Sequence, residues 1–113
     1  MHKYRFTVFT PCYNGGATIG RVAESLERQT FRDFEWIIVD DCSTDGTKEV
    51  LSTLAKKAEY PVRIFEQEKN RGKPSAINIG VSLAEGDFFL IIDADDAFTD
   101  DALESFASAW DAL

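Results

Sequence analysis

Apolar positions along this chain switch repeatedly between two periods. Phe6-Thr7-Val8-Phe9-Thr10 is dense in β-forming residues and stops at Pro11, which predicts a first strand. After Asn14-Gly15-Gly16, a loop by composition, Ile19, Val22, Ala23 and Leu26 fall at helical spacing. Phe34 to Val39 is apolar almost throughout, the pattern of a strand buried on both faces. Ser43-Thr44-Asp45-Gly46 offers caps and a turn, and Val50, Leu51, Leu54 and Ala58 form the inward face of a second helix that ends before Pro61. Val62 to Phe65 is a short third strand, and Asn70-Arg71-Gly72 is a turn. Pro74 suits a helix's first turn, with Ile77, Val81 and Ala84 facing inward and Gly86 as the stop. Phe88 to Ile92 is the fourth strand, and Thr99 caps a last helix carrying Leu103, Phe106, Ala107 and Trp110 on one face.

The order β-α-β-α-β-α-β-α predicts an α/β fold. We expect a Rossmann-like three-layer sandwich with a mostly parallel sheet of about four strands and helices on both faces. In such sheets ligands bind at the carboxyl ends of the strands, where strand order reverses. The segments that follow the strands are therefore where chemistry is expected.

Those segments are polar and charged. They are Thr10-Pro11-Cys12-Tyr13-Asn14, Asp40-Asp41-Cys42-Ser43-Thr44-Asp45, Asn70-Arg71-Gly72-Lys73 and Asp93-Ala94-Asp95-Asp96. In an extended segment Asp93 and Asp95 face one site and Asp96 the other side. Two carboxylates that close are costly without a positive charge between them, and hard oxygen ligands suit Mg²⁺ or Mn²⁺. A solvated acidic turn ahead of a helix explains the same residues equally well when they are taken alone. One of Asp40 and Asp41 is expected to brace the turn, leaving the other for a ligand's N–H or hydroxyl groups. Tyr13 can offer a ring face to a flat heterocycle, or simply pack. Arg71 and Lys73 stand at a helix start, a place suited to phosphate, although a solvated basic loop is at least as good a reading of each cation.

Composition narrows the partners. The chain has 113 residues, one domain's worth, and 20 acidic against 12 basic residues give a net charge of -8. That balance argues against a double-stranded nucleic-acid partner. An anionic small ligand would need a metal ion or a local cationic cluster. Cys12 and Cys42 are the only cysteines, too few for a disulfide scaffold, and are read as two buried or half-buried residues. No apolar run approaches the roughly 20 residues of a membrane span, and MHKYRFTVF has no secretory features. A cytoplasmic location, free or peripheral to the membrane, is expected.

The ordered set TPCYN (10–14), VDDCSTD (39–45), NRGKPSAINIG (70–80) and DADD (93–96), with QTFRDFEWIIVDD leading into the second strand, resembles the family 2 glycosyltransferases of GT-A fold. Each motif is weak singly; their order and spacing, over about Phe6 to Leu103, are specific. The resemblance implies a glycosyltransferase of inverting type, which transfers a sugar from a nucleoside-diphosphate sugar, a UDP-sugar first, to an acceptor hydroxyl on a glycan or lipid-linked sugar. It implies nucleotide-sugar contacts at Thr10, Pro11 and Tyr13 near the base, Asp40 on the base, Arg71 and Lys73 near base or phosphates, and Asp93 near the ribose. It also implies a divalent metal, Mn²⁺ or Mg²⁺, on Asp93 and Asp95. Residues 1–113 then form a single nucleotide-sugar-binding domain that lacks the acceptor half, where such enzymes carry their catalytic base. No residue here is assigned as the base, Glu104 and Asp111 included. Two other readings stay open: a non-catalytic nucleotide-sugar-binding module working with a partner, and a receiver-like phosphoacceptor domain. The second expects an acidic pair after the first strand, where this chain has Thr10-Pro11. An exposed apolar face where an acceptor half would dock is also expected to favour a homo-oligomer.

Overall fold

The computed structural model describes residues 3–113. Its elements run β1(Tyr4–Cys12), α1(Ile19–Glu27), β2(Phe34–Asp40), α2(Thr47–Lys57), β3(Val62–Glu66), α3(Lys73–Leu83), β4(Gly86–Ile91) and α4(Ala102–Asp111). The four strands form one sheet in the order β3-β2-β1-β4, and every pairing is parallel. The chain steps outward from β1 to β3, then crosses back to lay β4 on the free side of β1. Strand order therefore reverses between β1 and β4, the place where this architecture opens a crevice.

Side-chain parity sorts the core into two halves. Phe6, Val8, Phe34, Trp36 and Ile38 face one way and pack with Ile19, Val22 and Leu26 of α1, Leu51 of α2, and Leu103 and Ala107 of α4. Phe9, Ile37 and Val39 face the other way, against Ala76 and Ile77 of α3. Three helices thus cover one face and a single helix covers the other. β2 is buried at every position from Phe34 to Asp40, as its apolar run predicts for a central strand.

Several local expectations are corrected. β1 continues through Pro11 to Cys12. The pairing of β1 with β4 ends at Phe9 and Ile91, and Ile92 N–H donates to the Phe9 carbonyl at 2.9 Å. Pro11, two residues on, lacks its N–H on that same side, beyond the ladder's end, so no sheet bond is lost. The inner face of α3 is Ala76 and Gly80, both buried, with Ile77 half-buried and Val81 56% exposed. A Cβ on Gly80 would lie 2.4 Å from the Phe9 ring, so only glycine lets the helix approach this closely. Gly86 opens β4 rather than ending α3, and a Cβ there would meet the Phe6–Thr7 backbone at about 2.5 Å. In α2, Leu51 is buried but Val50 is exposed.

In α4, Leu103 and Ala107 point inward while Phe106 and Trp110 remain about half exposed. Asp101, not Thr99, is the N-cap position, and the Gln29 side chain reaches in to satisfy the helix start. Gln29 Oε1 accepts from Leu103 N–H at 3.1 Å and Nε2 donates to the Thr99 carbonyl at 2.6 Å. Cys12 and Cys42 are both free thiols, the first buried and the second half-buried. Among the described residues no helix is long and apolar enough to cross a membrane.

Candidate functional site

The segments after β1 and β2 are laced together by short polar side chains. Asn14, held at a positive φ of 51°, donates its N–H to Ser43 Oγ at 2.9 Å, and its Oδ1 accepts from Thr44 N–H at 2.9 Å. Gly16 N–H donates to Thr47 Oγ1 at 3.0 Å. The β1–α1 loop also touches the segment after β4: a Cβ on Gly15 would lie 3.1 Å from Ala94 Cβ. Small residues at 15 and 94 let these two loops meet.

Asp40 and Asp41 divide their duties in a way that strand parity explains. Asp40 shares the parity of Trp36 and Ile38 and points toward the three-helix face. It is wholly buried, and its carboxylate accepts from the Ser43 N–H at 3.1 Å and from the Ser43 hydroxyl. Asp41 shares the parity of Ile37 and Val39 and points toward α3. Its Oδ1 accepts from Gln67 Nε2 and from Arg71 N–H, each at 2.8 Å, and its Oδ2 accepts from Gly72 N–H at 2.8 Å. Asp41 therefore fixes the turn that starts α3, where Gly72 takes a φ of 87°. Two N–H groups next to that helix start already serve a carboxylate of the protein, which narrows the room for phosphate expected there.

A cleft of about 180 Å³ opens at this junction, lined by Pro11, Cys12, Tyr13, Asp41, Lys73, Ala76, Asp93 and Ala94. Its residues come from the ends of β1, β2 and β4 and the start of α3, at the reversal of strand order. A second cleft of about 290 Å³ shares Lys73 and Asp93 and is completed by Ile91, Ile92, Asp96, Ala97 and Phe98. Lys73 Nζ donates to Asp93 Oδ1 at 3.0 Å, so this ion pair stands between the two. Two larger grooves of about 610 Å³ lie elsewhere, one between α1 and α2 and one between α2 and β3, away from the strand ends. Chemistry, not size, selects the smaller clefts.

Asp93, Asp95 and Asp96 are exposed, and one carboxylate oxygen from each lies within 4.8 Å of the others. Sequence parity placed Asp96 on the far side. The strand ends at Ile91, and Asp96 N–H bonds back to the Asp93 carbonyl at 3.1 Å, so a turn carries Asp96 round to its neighbours. The set consists of hard oxygen donors only, which fits Mg²⁺ or Mn²⁺.

The sequence-predicted site residues therefore separate. Pro11, Tyr13, Lys73 and Asp93 line one cleft, with Asp95 beside Asp93. Thr10 does not join them: it is fully buried on the opposite face, where its Oγ1 accepts from Trp36 Nε1 at 3.0 Å. Asp40 lies beneath the rim, not in it. Arg71 is exposed and contributes its backbone N–H to Asp41, while its guanidinium lies outside the lining of the cleft. Of the Asp40–Asp41 pair, it is Asp41, passed over in favour of Asp40 for the base, that lines it.

The chain matches known proteins along nearly its whole length. A family model described as glycosyl transferase family 2 matches residues 7–113. The glycosyltransferase GlyG of Streptococcus pneumoniae is 33% identical over 99 residues, which is 88% of this chain and 33% of that protein. The crystal structure of Staphylococcus aureus TarS 1-349 in complex with UDP-GlcNAc is similar over 96% of this chain and 31% of its own, at 32% identity and a TM-score of 0.88. The mannosyltransferase PcManGT of Pyrobaculum calidifontis, in complex with GDP-Man and Mn²⁺, is similar over 100% of this chain and 34% of its own, at 29% identity and a TM-score of 0.86. The chain thus spans about a third of the length of these relatives.

Proposed function

Because the chain belongs to glycosyl transferase family 2, we propose that it is the donor-binding part of a glycosyltransferase of inverting type. The transferred sugar comes from a nucleoside-diphosphate sugar and goes to a hydroxyl of a glycan or lipid-linked acceptor. Residues 1–113 act as one GT-A-type domain, and the acceptor-binding part with its general base lies outside it. The observation that carries this reading is the meeting of an aromatic ring, a carboxylate, an ammonium and an acidic triad at one end of the sheet. Relatives whose structures hold UDP-GlcNAc and GDP-Man support a nucleotide-sugar ligand, and the UDP-sugar is the donor favoured here.

The roles follow from what each side chain offers. Tyr13, 49% exposed, presents its ring to a flat base alongside Pro11. Asp41 takes the base-binding part first given to Asp40: with one N–H on Oδ2, that oxygen retains a lone pair for a ligand N–H. Lys73 serves the phosphates as a point charge, and Arg71 stands nearby as a second source of positive charge. Asp93 and Asp95 would hold the divalent cation, with Asp96 in reach. Such an ion would supply positive charge where it builds on a diphosphate leaving group. A cation held there would offset locally the chain's net charge of -8, which would otherwise repel an anionic donor.

Asp95→Ala tests the assignment. Calorimetry of UDP binding with Mn²⁺ present should show a loss of about tenfold or more, with the circular dichroism spectrum unchanged, since removing even a supporting group of a metal site costs roughly 10–100-fold. Affinity equal to wild type would overturn the role given to Asp95.

A further inference from the structure

We propose that Lys73 is a resident stand-in cation for the acidic cluster, and that nucleotide binding draws it away so that a divalent metal can take its place. The proposal deepens the donor-site reading above and rests on it. Three exposed carboxylates whose oxygens approach within 4.8 Å repel one another unless a positive charge is near. The Lys73 ammonium supplies that charge at 3.0 Å from Asp93 Oδ1. It does so on the residue that both clefts share, and on an oxygen that a metal ligand would have to surrender.

The fold holds the root of Lys73 and leaves its end free. Lys73 is the first residue of α3, directly after Gly72 at φ 87°, and the N–H groups of Arg71 and Gly72 are both fixed by Asp41. Its side chain is 54% exposed, and Asp93's is 50% exposed. An exposed pair of this kind is weak and exchanges readily. A lysine ammonium is a compact charge on a flexible four-carbon stem, suited to moving between acceptors where a planar guanidinium would favour a fixed geometry. Because Lys73 borders both clefts, its ammonium can leave Asp93 for a diphosphate without leaving the rim. Metal and nucleotide then help each other through one side chain: the anion removes the lysine, and the freed carboxylate gains affinity for the metal.

The test is a Mn²⁺ titration of the chain followed by the electron paramagnetic resonance signal of free Mn²⁺, with and without UDP. It compares wild type, Lys73→Met, Lys73→Arg and Lys69→Met, each checked by circular dichroism. Lys73→Met should raise Mn²⁺ affinity in the absence of nucleotide by about three- to tenfold, the size expected for losing one nearby positive charge at an exposed site. It should also weaken UDP binding and shrink the enhancement of Mn²⁺ binding by UDP. Lys73→Arg, which keeps the pair, and Lys69→Met, which removes a charge from the preceding loop, should retain wild-type Mn²⁺ affinity. An unchanged or lowered nucleotide-free affinity in Lys73→Met, or an equal rise in Lys69→Met, would overturn the exchange while leaving the donor site standing. A wild-type chain that binds neither Mn²⁺ nor UDP would remove both.

Discussion

Cys12 sits at the end of β1 with its thiol under the rim, and its chemistry follows from that position. Burial pushes its pKa up to about 11; a backbone hydrogen bond from Gly15 opposes the rise, and the charges of Asp40 and Asp45 add to it. Below that pH the thiol is neutral, and only the thiolate is a good nucleophile. Cys42, half-buried with its Sγ 3.4 Å from the Glu68 carbonyl, is the more accessible of the two. Iodoacetamide at pH 8 should therefore label Cys42 at least about tenfold faster than Cys12, as read by peptide mass spectrometry; equal rates would contradict the burial of Cys12. Single residues also show where sequence reading stopped short. Pro11 and Tyr13 stand at the end of β1, Asp93 just beyond β4 and Lys73 at the start of α3, and the structure brings all four to one cleft. Thr10 and Asp40 are fully buried one step of parity away, outside the lining of that cleft. The cleft lies toward the α3 face: Asp41, in register with Ile37, reaches it, whereas Thr10 and Asp40, in register with Val8 and Trp36, do not, and Cys12 borders it only because β1 ends there. Which face carries the cleft depends on strand order, and strand order is a tertiary property that no local pattern contains.

Among the elements, α3 alone covers its side of the sheet, and its contact is made by small residues. Ala76 and Gly80 are buried there, and Gly80 brings the helix down onto the Phe9 ring. Gly80→Val would place new atoms where that ring already stands. Overpacking of this kind costs about 1–3 kcal/mol, against a few tenths regained from helix propensity. Urea denaturation should show a net loss in that range, whereas stability within about 0.5 kcal/mol of wild type would mean that α3 is not pressed against Phe9. The same smallness hid the inner face of α3 from sequence. Large apolar residues pointed to Val81, which is exposed, because a helix lying close to a sheet buries its smallest side chains. The order and type of all the elements were nonetheless legible, since each strand and helix carried its own period and the Pro and Gly residues punctuated them. Glu35 was not: it is a carboxylate 1% exposed near the start of a strand that is apolar from Trp36 to Val39. It is held by the Thr7 hydroxyl at 2.7 Å and Arg63 at 2.8 Å, partners from β1 and β3 that only the assembled sheet brings together.

At the scale of the whole molecule, one topological fact organises the site. The return of β4 to the side of β1 brings the segment after β4 against the β1–α1 loop, with Gly15 beside Ala94 and Lys73 on Asp93. An acidic chain thereby gathers a cationic side chain, a carboxylate triad and an aromatic ring at one end of its sheet. The central claim is that this end binds a nucleoside diphosphate. Chemical-shift mapping by ¹H–¹⁵N correlation spectroscopy, with UDP titrated in the presence of Mg²⁺, tests it directly. The account predicts saturable shifts gathered in residues 11–16, 41–44, 70–76 and 92–98, which surround the two clefts at the strand ends. Shifts gathered instead along the α1–α2 groove, at Glu24, Val50 and Tyr60, or no shifts at millimolar UDP, would contradict it.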